Sequence, residues 1–86
     1  MTGPIRVLRI VLSDFELSSA ADVLAFHGGS VLYPNASALL TAESDRRGNG
    51  EQAQPIWISG DVFDSLPSVV QMLLGGNIVD EMSFAA

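Results

Sequence analysis

Cysteine and lysine are both absent from this 86-residue chain, and histidine and tryptophan occur once each. Without cysteine there is no disulfide staple, no thiolate nucleophile and no Cys-based zinc site. A lone histidine, His27, rules out a two-histidine metal site within one chain. Beside Gly28-Gly29 it reads as a helix C-terminal residue favoured by the helix dipole rather than as a catalytic base. Serines are plentiful, but no Gly-x-Ser-x-Gly elbow is present and no lysine exists to activate one. Gly48-Asn49-Gly50 is not a phosphate loop, because no lysine follows it. Uninterrupted apolar runs such as Ile10-Val11-Leu12 fall far short of the ~20 residues needed to span a bilayer. The opening MTGPIRVLRIVLSD shows no basic region followed by a long apolar stretch. These features exclude most familiar cofactor and metal motifs and set cytoplasmic residence as the expectation.

Charge is also scarce. Charged residues make up 16% of the chain, against about 25% in an average globular domain. Hydrophobic residues make up 48%. A chain this short forms one domain, 1–86, with a large surface to cover and few charges to cover it. Part of its apolar surface is therefore expected to be buried against another chain. The balance of ten acids against four arginines gives a net charge of −6. Nucleic-acid binding and anionic membrane surfaces both call for positive charge, so neither partner fits. A basic protein partner does.

What is present is a set of strand and helix signals. Ile5 to Leu12 alternates weakly, with Ile5, Val7, Arg9 and Val11 on one face and Arg6, Leu8, Ile10 and Leu12 on the other, as in a central strand. Ser13 and Glu16 fit a capping box, and Ser19 with Asp22 offers a second, later start. Leu17, Ala20, Ala21, Leu24 and His27 follow helical spacing, and Gly28 offers a left-handed stop. Ser30 to Tyr33 reads as a strand interrupted at Pro34-Asn35, and Ala36 to Ala42 as a further strand. Glu43 to Gln54 has no large apolar residue and reads as a mobile loop. Pro55 to Ser59 resumes as strand. Ser65 to Leu74 reads as a helix capped by Ser65, with Pro67 in its first turn and Gly75 closing it. Ile78 to Phe84 closes the chain as a strand.

Arg9–Leu32 can be laid without gaps on Ile56–Val79. Asp14 then falls on Asp61, Ser18 on Ser65, Val23 on Val70 and Gly28-Gly29 on Gly75-Gly76. The shared positions are helix starts, a core valine and glycine stops, so the echo predicts one βαβ unit used twice. The expected fold is α+β, a small mainly antiparallel sheet with two helices in the ferredoxin-like order β-α-β-β-α-β, both helices on one face and the other face open. The alternative is a β-rich fold in which residues 21–33 form a hairpin across the Gly-Gly pair and one helix covers 65–74.

Candidate functional residues are those of a docking surface. Asp61, Asp64, Asp80 and Glu81 group as an acidic surface for a basic partner. Trp57 is a strand aromatic suited to anchoring an interface. Arg46 and Arg47 sit in the expected loop. The function expected is that of a small non-enzymatic protein-binding module with no cofactor. One concrete form is a phage or mobile-element inhibitor that docks a basic host complex, as anti-CRISPR proteins do. The alternative is a ligand-responsive regulatory domain that binds a small metabolite as a homodimer. A small enzyme using His27 or a carboxylate ranks third.

Overall fold

The computed structural model describes residues 4–85; Met1 to Gly3, which open the segment scanned above for a leader, and Ala86 lie outside the described residues. The first strand, β1 (Ile5–Ile10), leads into three helices, α1 (Asp14–Phe26), α2 (Gly29–Leu32) and α3 (Pro34–Gly48). Then come β2 (Ile56–Ser59), α4 (Gly60–Ser65), α5 (Ser68–Gly75) and β3 (Ile78–Phe84). Among the described residues the strands form one antiparallel sheet in the order β2-β1-β3. The α+β antiparallel architecture is as expected; the ferredoxin-like order is not the one observed.

Local chemistry explains each start. The Ser13 hydroxyl accepts the Glu16 N–H at 3.1 Å, and the Glu16 carboxylate accepts the Ser13 N–H at 3.0 Å. This closed capping box satisfies two orphan donors of α1. The Ser13 backbone and hydroxyl, helped by Asn77, hold the Glu16 carboxyl below its ordinary range. The second box does not operate, since Ser19 and Asp22 lie inside α1. Leu17, Ala20 and Leu24 are the buried stripe of α1. Gly28 then adopts φ 109°, a left-handed conformation that reverses the chain. The helix continues to Phe26, so residues 21–33 are not a hairpin.

Two expected strands are helical. Ser30 to Leu32 belongs to the single turn α2, and Ala36 to Ala42 lies within α3. Pro34, read as an interruption, occupies the first turn of α3, where its missing N–H costs nothing. The buried positions of α3 are Ala36, Leu40 and Glu43, spaced as one helical face. The third of them is an acid, which is why the apolar periodicity stopped short in the sequence. Glu43 to Gly48 is accordingly helix rather than mobile loop.

The helix expected over Ser65–Leu74 starts three residues later, as α5 at Ser68, and Ser65 instead ends the separate helix α4. Ser59, not Ser65, provides the cap, its hydroxyl accepting the Val62 N–H at 3.3 Å. Leu66 is extended ahead of Pro67, as the residue before proline prefers, and this separates α4 from α5. The Gln71 side chain bridges the break by donating to the Asp64 and Leu66 carbonyls at 3.0 and 2.9 Å. The echo thus holds for a strand followed by a helix in both copies. It fails at its last element, because Val31-Leu32 is helical where Ile78-Val79 is strand.

Leu8 and Ile10 of β1 and Ile56 and Ile58 of β2 meet Leu17, Ala20, Leu24, Ala36, Leu40, Leu66, Val70 and Leu74 in one core. Helices α1, α3 and α5 therefore cover one face of the sheet. The shortest dimension of the molecule is 20 Å, the thickness of one helix layer on one sheet at about 10 Å each. No helix among the described residues is long and apolar enough to cross a membrane.

Candidate functional site

Register decides what the uncovered face displays. Val7 pairs with Ser59 and Met82, Arg9 with Trp57 and Asp80, and Ile5 with Phe84. Paired residues project to the same side of a sheet, so these eight side chains share one face. It is the face opposite the core, because Leu8, Ile10, Ile56 and Ile58 alternate with them. The register shifts between Arg9 and Ile10, whose partners on β3 are Asp80 and Ile78. Val79 is the extra residue of this bulge, and the bulge turns Ile78 inward onto the core.

The open face is apolar around one charge pair. Ile5, Trp57 and Phe84 are 52%, 47% and 50% exposed. The Arg9 guanidinium lies 5.8 Å from the Trp57 ring centroid and 3.9 Å from the Asp80 carboxylate. Arg9 thereby lies between an aromatic and an acid, and the row carries no net charge.

The acids expected to form one surface are divided by the sheet. Asp80 faces the open side, whereas Glu81, its neighbour, pairs with Leu8 and projects to the helix side. There the Arg6 Nε donates to Glu81 at 2.8 Å and Arg6 also faces Asp64 at 3.5 Å. Hydrogen bonding to Glu81, then the charges of Glu81, Asp64 and Asp61, raises the Arg6 pKa. Gly60 permits this arrangement, since a Cβ there would stand 2.9 Å from the Arg6 Cβ. Asp61 lies in the first turn of α4.

Arg46 and Arg47 belong to the last turn of α3 and are engaged internally. Glu43 has 0% exposure and accepts from Arg46, from the Arg47 Nε at 2.8 Å and from the Gln54 N–H at 2.8 Å. Arg47 also donates to Asp14 at 2.9 Å and to the Leu12 carbonyl, tying α3 to the start of α1. Only Arg46 retains substantial exposure. Burial pushes the Glu43 carboxyl up, but the Gln54 N–H and the two arginines pull harder, and it ends below its ordinary range. The Glu43-x-x-Arg46-Arg47 spacing, i to i+3 and i+4 on a helix, was the signal that could have revealed this cluster.

Two grooves run between α1 and α3. One of about 210 Å³ is lined by Ala21, Ala25, Ser37 and Thr41, and one of about 490 Å³ by Asp14, Ser18, Ser44 and Arg47. Arg47, the cation that lines the larger groove, already donates to Glu43, Asp14 and the Leu12 carbonyl. His27 is exposed at the end of α1 with its ring edge-on to Phe26. Among the described residues no group of three or more His, Cys, Asp or Glu side chains converges to hold a metal. Of the residues expected to dock a partner, Trp57 and Asp80 come together on the open face, Asp64 and Glu81 meet through Arg6, and Arg46 and Arg47 lie elsewhere. Ile5, Val7, Arg9, Ser59, Met82 and Phe84 complete the face, and the alternation of β1 had already placed the first three together.

No family model, curated protein or solved structure matches this chain.

Proposed function

We propose that this chain is a small non-enzymatic protein-binding module that docks through the open face of its sheet. The observation that carries this is the row Trp57–Arg9–Asp80 beside Ile5, Val7, Met82 and Phe84, a half-exposed apolar surface with one internally balanced charge pair. Depleted charge around aromatic and arginine side chains is the composition of an interface centre. The net charge of −6 lies around this contact rather than within it, and the contact itself is apolar. Phosphate mimicry by Asp61, Asp64, Asp80 and Glu81 is less favoured, because the sheet separates them and Arg6 and Arg9 answer three of them.

Photo-crosslinking tests this. A photoreactive residue is placed at Trp57 or, on the helix layer, at the exposed Asp22. Position 57 is expected to give a discrete polypeptide adduct in the native cell and position 22 none. Adducts from position 22 alone, or from neither, would refute docking through the sheet.

A further inference from the structure

We infer that the polypeptide docked on the open face is a second copy of this chain, in a two-fold, face-to-face dimer; this rests on that face being the docking surface. Charge is the first reason. Each chain carries −6, so two copies repel through most of their surface. On the open face Arg9 cancels Asp80, and two copies meet there without net repulsion at the contact.

Self-complementarity is the second reason. A two-fold axis in the plane between the sheets, crossing the strands at the Val7–Met82 row, places that row against itself. The Arg9–Asp80 pair of each copy then lies over Ile5 and Phe84 of the other. The two charge pairs come to rest at opposite ends of the contact, about 13 Å apart along the strands at ~3.3 Å per residue. They remain near solvent, and the centre stays apolar. Sheets stacked in this way pack about 10 Å apart with strands nearly aligned.

The alternative of edge pairing is blocked. The outer strand β3 carries Asp80 and Glu81 at its middle, and antiparallel pairing of two such strands sets these acids against each other. The other edge, β2, has four residues and ends at α4. Self-association is thereby directed from the edges to the face.

The size of the face sets the strength. Half-exposed Trp57, Phe84 and Ile5 with the partly exposed remainder supply roughly 500 Å² per copy, near the lower limit of about 1,000 Å² in total for specific interfaces. An interface of this size belongs to the weak, transient end of specific association.

The test is sedimentation of the full chain across concentration, together with the emission of Trp57, the one tryptophan. Dimer mass and a blue shift of the emission are expected with one shared midpoint. Phe84→Glu, with its fold checked by circular dichroism, is expected to raise that midpoint at least tenfold. Raising salt from about 0.02 to 0.5 M, which shortens the screening length severalfold, is expected to tighten the dimer because it relieves repulsion between two acidic chains. A chain monomeric at about 500 µM with unshifted emission overturns the second copy. A crosslink from position 57 to a different protein would then leave the docking face standing. A dimer that survives Phe84→Glu but is lost in Phe26→Ser overturns it too, because it places the contact on the helix layer, where Phe15, Phe26, Val31 and Met72 are exposed.

Discussion

Replacing Glu43 by alanine is expected to remove about a quarter or more of the stability of this fold. Glu43 has no solvent exposure, and its partner Arg47 has 10%. The substitution deletes the acceptor for the Arg46 guanidinium, the Arg47 Nε and the Gln54 N–H together. Arg47 is left with the exposed carboxylate of Asp14 and one backbone carbonyl. Breaking a buried ion pair by removing one member costs about 3–5 kcal/mol, because the surviving charge stays buried. A chain of this length is held by about 4–13 kcal/mol in total. The melting temperature is then expected to fall by about 12 °C or more, at roughly 4–8 °C per kcal/mol for a domain this small.

The assay is urea unfolding followed by circular dichroism, with calorimetry for the melting temperature. Glu43→Gln keeps the shape and one acceptor, and is expected to lie between wild type and alanine. The double substitution Glu43→Leu with Arg47→Leu is expected to recover most of the loss, because no unpaired charge remains buried. A Glu43→Ala penalty below about 1 kcal/mol would refute this account, since that is the range of an exposed pair. The same carboxylate governs acid behaviour. Its native pKa is lowered, so the unfolded chain binds more protons at acid pH. The stabilisation is fully present above the unfolded value of about 4.3 and is lost as pH falls through the native value. Glu16 acts in the same direction, and Glu43→Gln is expected to flatten but not abolish the slope.

Other substitutions address single links in the fold. Ser13→Ala opens the capping box of α1 and is expected to cost about 0.5–2 kcal/mol in urea titrations. Gly28→Ala is expected to cost about 1–3 kcal/mol, because φ is 109° and the new Cβ would meet the Leu32 Cδ1 at 2.6 Å; a neutral melting temperature would show that α2 shifts freely. Leu24→Ala, in the centre of the core, is expected to cost about 2–5 kcal/mol by calorimetry.

What the sequence made legible was whatever a few adjacent residues decide. The alternation of β1, the Ser13–Glu16 box, the stop at Gly28 and the strands at Ile56 and Ile78 all rest on such local signals, and all are present. The misses share another cause: a position whose role is set by a distant partner. Glu43 faces the core only because Arg47 and Gln54 meet it there, so α3 looked like a short apolar stretch ending in a polar loop. Ile78 faces the core only because Val79 bulges against β1.

The same distinction bears on the docking surface. Asp80 and Glu81 looked like one acidic patch because they are neighbours in sequence, yet a strand sends neighbours to opposite sides. The period of two alone was enough to separate them. It could not say which side is covered, since both faces of β1 carry apolar residues and an arginine. That choice is made by the core, in which Leu8 and Ile10 join Leu66, Val70 and Leu74. Once the helices take that side, Arg9 has only Trp57 and Asp80 for company, and the neutral apolar face follows from register rather than from composition. A chain of net charge −6 thus leaves a row without net charge on the layer that its own helices do not cover.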